Sequence, residues 1–372
     1  MSFSLSHIFS KEVRSVIGVD IGSSSIKVVQ LRRERGRAIL ETYGAIALGP
    51  YTGVEVGRAT QLPADKISEA LKEVIKEANV TTVDAGIAIP YASSLVSVVR
   101  LPASLEDRLA QTMPLEARKY IPVPINEVQL DWILVGGGKE SGNVQDKLEV
   151  MLVAIHNDTI AKYRQIALDS ALSASFFEIE VFSAVRASLD HGIAPVAVVD
   201  FGAATTKFYV VERGIVRESH IINQGSQELT LNASRALNIT VAQAEERKRK
   251  MGLDRASAPA GVIPGSATMT ASDAEHSFEL SLAPILSEIS RTQASFEARM
   301  GESISTIVFT GGGSTLKGFR EFSQSKLQAE VRLADPFGKT EAPAFLEGIL
   351  KEAGPEFSVA VGLALRRLQE LG

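Results

Sequence analysis

Runs of β-branched and aliphatic residues alternate with short clusters of small and polar residues along most of this 372-residue chain. In VIGVDIGSSSIKVVQL, residues 16–31, two apolar runs flank a tight small-residue turn, which predicts a β-hairpin carrying one acid, Asp20, and one base, Lys27. The span ADKISEALKEVIKEANV, 64–80, sets Ile67, Leu71, Val74 and Ile75 at helical spacing. AGIAIPYASSLVSVVRLP, 85–102, reads as strand, break and strand. A helix over 104–120 is expected next, but Pro114 lies inside it. An interior proline costs about 3 kcal/mol, so the helix is either broken there or shortened in its first part. Two strands around a 136–146 loop and a helix from Asn157 follow, and FFEIEVFSAV, 176–185, runs from strand into a helix starting near Phe182. The span 253–277, poor in large apolar residues, predicts a loop or crossing segment, with a long helix from Phe278 behind it.

The opening hairpin has an echo. VAVVDFGAATTKFYVV, 196–211, matches it without a gap at an offset of 180: Asp20 meets Asp200, Gly22 meets Gly202, Ser25 meets Thr205 and Lys27 meets Lys207. In each copy a buried strand ends at an aspartate, and a glycine then allows close backbone approach. Small residues follow, whose amides and hydroxyls can surround phosphate oxygens. Because the chain continues as a strand, this is neither a Walker loop nor a dinucleotide fingerprint, both of which lead into a helix. Two such hairpins facing each other can grip a polyphosphate from both sides, with the aspartates holding Mg²⁺ through water. A third element, STIVFTGGGSTLKGF at 305–319, runs a strand into Gly311, Gly312, Gly313 and Ser314 and then a helix. Three bare glycines let a flat base or a ribose approach the backbone.

Composition narrows the classes. Hydrophobic residues are 45% and charged residues 22%, a globular mix, and the net charge of −5 supplies no basic field for nucleic acid. With no cysteine there is neither a disulfide framework nor a thiolate zinc site, which is compatible with a reducing compartment. No run approaches the ~20 apolar residues of a membrane span. The first residues, MSFSLSHIFSKEVR, do not make a signal peptide and are expected to form a frayed tail.

Paired strand-Asp-x-Gly hairpins followed by a strand-Gly-Gly-Gly-Ser turn resemble the actin, Hsp70 and sugar-kinase ATPase fold. Within it the chain is most similar to the type IV pilus assembly PilM family, related to the FtsA family. That likeness adds LEARKYIPVPINEVQLDW (115–132), AEERKRKMG (244–252) and GPEFSVAVGLALR (354–366). The resemblance implies an α/β fold of two lobes with duplicated RNase H-like cores. After an N-terminal tail (1–12), the first lobe would take 13–89 and 173–194, around an inserted SHS2-like subdomain (90–172). The second lobe would take 195–224 and 303–372, with a small subdomain at 225–302. FSVAVGLALRRLQEL, at 357–371, would be a final helix docked on the second lobe.

The resemblance also implies a site for ATP or ADP with Mg²⁺. Asp20, Gly22, Ser23, Ser24, Ser25 and Lys27 match the first phosphate loop, and Asp200, Gly202, Ala203, Thr205 and Thr206 the second. Gly311, Gly312, Gly313 and Ser314 match the adenosine motif, with Asp20 and Asp200 on the metal. Glu245 and Lys248 match a helix closing over ribose and adenine; read from the residues alone, that helix is a solvated charged face with i,i+3 and i,i+4 pairs. Glu180 falls where Hsp70-like enzymes keep a glutamate that orients the attacking water, or it only caps its helix. Tyr120, Ile121 and Val123 are candidates for a groove taking the cytoplasmic N-terminal peptide of a PilN-like membrane protein, though packing between subdomains explains the same residues slightly better. This would place the protein on the cytoplasmic face of the inner membrane through its partner. The alternatives are a turning-over ATPase and an FtsA-like polymer. No sugar-activating aspartate is recognisable, and neither a chaperone substrate domain nor the tethered amphipathic helix that usually follows the FtsA core is expected, which disfavours self-anchoring.

Overall fold

The computed structural model describes residues 14–137, 147–190, 192–253 and 271–371. Two five-stranded sheets of identical plan organise them. In the first, β1 (Ser15–Ile21), β2 (Ser25–Glu34), β3 (Arg37–Ala47), β4 (Asp84–Ile89) and β8 (Ser173–Ile179) lie in the order β3-β2-β1-β4-β8. In the second, β9 (Val196–Phe201), β10 (Thr206–Glu212), β11 (Ile215–Ile222), β12 (Thr306–Thr310) and β13 (Glu330–Leu333) lie in the order β11-β10-β9-β12-β13. The first three strands of each sheet are an antiparallel meander and the last two add in parallel. Register pairs Asp20 with Lys27 and Asp200 with Lys207, so the echo read from the sequence is one of three-dimensional position.

The sheets are covered by helices whose apolar stripes follow from spacing. Helix α1 (Ala64–Glu77) buries Ile67, Leu71 and Val74 against Ile17, Val19, Val28 and Ile87. At about 1.5–3 kcal/mol per fully buried aliphatic side chain, these contacts dominate the lobe's stability. In the second lobe α5 (Ser226–Ala236), α6 (Val241–Lys250), α7 (Ala271–Met300) and α8 (Phe319–Lys326) enclose Phe201, Phe208, Phe278, Phe309 and Phe319. Helix α7 starts seven residues before Phe278, so the last part of the expected loop, 271–277, is helical; residues 254–270 lie outside the described residues.

A three-stranded sheet, β5 (Ser94–Pro102), β6 (Val128–Gly136) and β7 (Lys147–His156) in the order β5-β7-β6, interrupts the first lobe. The expected 104–120 helix is in pieces: a 3₁₀ stretch Ala103–Arg108, α2 (Leu109–Glu116) containing Pro114, and a 3₁₀ turn Ala117–Lys119. Proline removes one i→i−4 bond from a helix only two turns long, and the chain tightens on either side of it. One face of this sheet packs on Met113, Ala117 and Ile121. From the other, Met151, Val153 and Ile155 pack against Val198, Tyr209 and Val211 of the second lobe. The helix after it, α3 (Asn157–Asp169), instead sends Tyr163, Ile166 and Ala167 into the first-lobe core.

The final helix departs from expectation. Helix α9 (Glu347–Glu370) packs chiefly on the first lobe, burying Phe357, Ala360, Val361 and Ala364 against Val16, Val29 and Leu31, while its Pro355 carbonyl stays bonded to Gly311 and Thr310 of the second. Two glycines permit this: a Cβ on Gly18 would sit 1.9 Å from the Ala360 carbonyl oxygen, and one on Gly362 2.0 Å from that of Ser183. Strand β1, α9 and α4 (Glu180–Ser188) therefore meet backbone to backbone. Among the described residues no helix is long and apolar enough to cross a membrane.

Candidate functional site

A cleft of about 550 Å³ opens between the lobes, within the range of small-ligand sites. Its two jaws are the hairpin turns. Gly22 N–H donates to the Ser25 carbonyl at 3.0 Å and Gly202 N–H to that of Thr205 at 3.1 Å, so both turns close in the same way. Other turn carbonyls face the protein: Ser23 and Ser24 accept from Thr60 N–H and Leu48 N–H, and Gly202 and Ala203 from Ser226 N–H and Gln227 N–H. Ser23, Ser24, Ala203 and Ala204 line the cleft. With their carbonyls turned away, such turns present amides and hydroxyls, the groups that bind phosphate.

Charge is concentrated beneath the jaws. Asp20 is 7% exposed, and burial raises its pKa from the ordinary 3.8 to about 6, with Lys27 opposing the rise. Lys27 Nζ donates to Ser25 Oγ at 3.0 Å. In the second jaw Lys207 Nζ lies 2.8 Å from Asp200 Oδ2 and 2.9 Å from Glu180 Oε1. Burial alone would lower the Lys207 pKa, but Asp200 and Glu180 outweigh it and hold the ammonium above its ordinary range. Glu180 opens α4, two residues earlier than the sequence suggested, and its Oε1 also accepts the Tyr91 backbone N–H at 2.7 Å. Its neighbour Glu178 takes no part in the cleft: buried, it binds Arg186 at 2.7 and 2.8 Å and Arg366 at 2.9 Å.

The glycine turn forms the third wall. Gly311 has φ +85°, and a Cβ there would meet Asp200 Oδ1 at 2.4 Å; one on Gly313 would meet the Phe201 ring at 2.5 Å. Side chains at these positions would fill the cleft's floor, so the run is a cradle and not a loose linker. Opposite it, Glu245 and Lys248 of α6 are buried and paired at 2.6 Å, with the Thr230 hydroxyl donating to Glu245 at 2.7 Å. Pairing with Lys248 overcomes burial and lowers the Glu245 pKa, whereas for Lys248 burial prevails and lowers its own. The solvated i,i+4 pair of this helix is Glu246 with Lys250, on the outside. Gly57, on the loop after β3, approaches so closely that a Cβ would meet Glu245 Oε1 at 2.5 Å. Together with the Ala59 N–H bond to Gln227 Oε1 at 3.1 Å, this joins the two lobes over the cleft.

Most of the expected residues converge: Asp20, Gly22, Ser23, Ser24, Ser25, Lys27, Glu180, Asp200, Gly202, Ala203, Thr205, Glu245, Lys248, Gly311, Gly312 and Gly313 all line this one cleft, and Lys207, the counterpart of Lys27, joins them. Two do not. Thr206 is fully buried and its hydroxyl donates to the Gln224 carbonyl, since alternation along β10 turns it away from the face carrying Thr205 and Lys207. Ser314 is likewise buried, capping the Gly311 carbonyl at 2.7 Å, and Thr315 takes its place on the wall. Sequence reasoning missed Ser226, Arg249, Thr315 and Glu356. Only Ser226 had a signal, as the first residue of a helix directly after a glycine.

A nucleoside polyphosphate fits this arrangement: paired amide turns, a lysine in each jaw and a glycine wall for the nucleoside. The donor set suits a divalent ion poorly. Of the expected pair Asp200 is engaged by Lys207, as is the nearby Glu180, which leaves Asp20, and no group of three or more acidic, histidine or cysteine side chains among the described residues could hold a metal directly.

Of the groove candidates, Ile121 is 7% exposed inside the core of the three-stranded module and Val123 packs against that core, so both are packing residues; Tyr120 is 41% exposed. The module touches the site's machinery elsewhere. Tyr91, at its entry, stacks edge-on with Tyr209 at 5.3 Å and shares a hydrogen bond with the Ser219 hydroxyl, while Glu149 pairs with Arg217 at 2.6 Å.

The family model described as Type IV pilus assembly protein PilM matches residues 18–368. The cell division protein FtsA of Neisseria meningitidis serogroup B is 24% identical over 387 residues, covering 95% of this chain and 90% of that protein. Among solved structures, a chain of a PilM-PilN type IV pilus biogenesis complex has a TM-score of 0.76 at 21% identity, covering 94% of this chain and 98% of that one. MreB 5 of Spiroplasma citri bound to AMPPNP has a TM-score of 0.53 at 12% identity, covering 97% and 98%. These likenesses identify the fold as actin-like.

Proposed function

The chain belongs to the type IV pilus assembly protein PilM family, and we propose that it is a nucleotide-binding scaffold whose closed cleft prepares the inserted module to hold a partner. The nucleotide is ATP or ADP. The partner is the N-terminal peptide of a PilN-like membrane protein, which brings this chain to the cytoplasmic face of the inner membrane. The observation that carries the reading is the position of Glu180. One oxygen of its carboxylate accepts both the Lys207 ammonium of the second jaw and the Tyr91 amide at the entry to the module. The second jaw and the module thus share a contiguous hydrogen-bond network, of the kind that can carry energetic coupling between two sites.

The same geometry argues for a positioning role for Glu180. Two donors on its Oε1 fix the carboxylate in place between jaw and module, and on this reading turnover is slow or absent. A scaffold needs only that nucleotide favour the closed arrangement.

Titration calorimetry with the full chain tests this. ATP binds, and a synthetic peptide copying the partner's N-terminus binds about fivefold or more tighter when ATP is present, a coupling of about 1 kcal/mol. In Glu180→Ala both ligands bind but the coupling disappears. Equal peptide affinity with and without ATP in the unaltered protein refutes the coupling.

A further inference from the structure

We propose that Lys207 takes the place of a divalent cation in this cleft, so that nucleoside polyphosphate binding does not depend on Mg²⁺. The proposal rests on the nucleotide-binding reading above and concerns how that site balances charge. The register of the second hairpin sets Lys207 opposite Asp200, where the first sets Lys27 opposite Asp20. Lys27 reaches Ser25 in its own turn, whereas Lys207 bridges two carboxylates from different lobes, Asp200 on β9 and Glu180 on α4. The Lys207, Asp200 and Glu180 side chains are only 11–13% exposed, so this charge triad is built into the floor of the cleft.

A hydrated Mg²⁺ retains several waters and needs protein oxygens to receive their hydrogen bonds. Two acids of the floor that could do so, Asp200 through Oδ2 and Glu180 through Oε1, receive the Lys207 ammonium instead, which leaves Asp20 as the remaining carboxylate of the expected pair. That ammonium is a fixed charge that neutralises the two carboxylates of the floor. A lysine also serves as a point charge toward phosphate. With Lys27 in one jaw and Lys207 in the other, a polyphosphate between the turns meets a fixed cation on each side. Lys207 further ties the lobes across the cleft through Asp200 and Glu180, so the residue that faces the phosphates also holds the lobes together.

The experiment measures ATP and ADP dissociation constants of the full chain in excess MgCl₂ and in excess EDTA. The unaltered protein is expected to bind within about threefold in both buffers. Lys207→Met is expected to bind about tenfold or more weakly in EDTA and to recover in MgCl₂, while Lys207→Arg, which keeps the charge, stays indifferent to metal. A loss of about tenfold or more by the unaltered protein in EDTA overturns the proposal without any variant having to fold, and leaves nucleotide binding standing. Binding in neither buffer overturns both. A Lys207→Met protein that melts like the parent and binds identically in both buffers also overturns it.

Discussion

Asp20 allows a prediction of unusual sign: Asp20→Asn should stabilise the nucleotide-free protein near neutral pH. Burial lifts the carboxyl pKa from 3.8 to about 6, against the pull of Lys27 and Lys207 and with Glu180 and Asp200 adding to the rise. A group whose folded pKa lies above its unfolded value binds its proton more tightly in the folded state. Its contribution to stability is therefore complete below 3.8 and is lost as pH rises through 6. The shift of about two units corresponds to a cost of about 3 kcal/mol at about pH 7.5, and about half of that at about pH 5. Asparagine keeps the shape and never ionises, so it escapes the cost. Denaturant unfolding of parent and variant at the two pH values measures it: the variant gains more at the higher pH than at the lower. A variant less stable than the parent at about pH 7.5, or a pH-independent difference, would refute the reasoning.

Three further outcomes are expected. Glu178→Ala leaves Arg186 and Arg366 without their buried carboxylate and should cost about 3–5 kcal/mol, read by denaturant midpoint. The Glu178 pKa is held below its ordinary 4.5, so its contribution is present above that value and lost as pH falls; the variant should accordingly show a flatter acid limb. Within α9, Gly362→Ala should destabilise by about 1–3 kcal/mol because its Cβ meets the Ser183 backbone. Gly348→Ala, in the same helix with nothing within 4 Å, should stabilise by about 0.5–1 kcal/mol, and thermal melts of the two must move in opposite directions.

The jaws were legible because acid, glycine and lysine recur in one register, and strand pairing converts equal spacing into equal position. The glycine wall was legible from its context, since the 311–313 run joins a buried strand to a helix and accompanies the paired hairpins, whereas the 136–138 run leads into a polar stretch. Thr206 shows a signal that was present and overlooked: strand alternation already separates it from Thr205 and Lys207. The bridge from Lys207 to Glu180 was not legible, since no local pattern records which lobe a buried ammonium will face. The docking of α9 escaped for the same reason. Residues 357–364 are apolar on most sides, which predicts burial but not the surface that provides it. Pro355 adds a further link that no periodicity discloses, its carbonyl accepting Gly311 N–H and the Thr310 hydroxyl, both at 2.8 Å.

The position of α9 also sets the order in which this protein can be completed. Val16, Val29 and Leu31 emerge from the ribosome early, yet the helix that covers them begins only at Glu347. The first lobe therefore stays open on one face until nearly the whole chain has been made, and the second lobe can close around its own phenylalanines beforehand. Contacts so distant in sequence slow folding and leave apolar strand surface exposed while the chain waits. A nascent chain stalled before residue 347 should consequently engage chaperones through its N-terminal sheet, although that sheet was translated first.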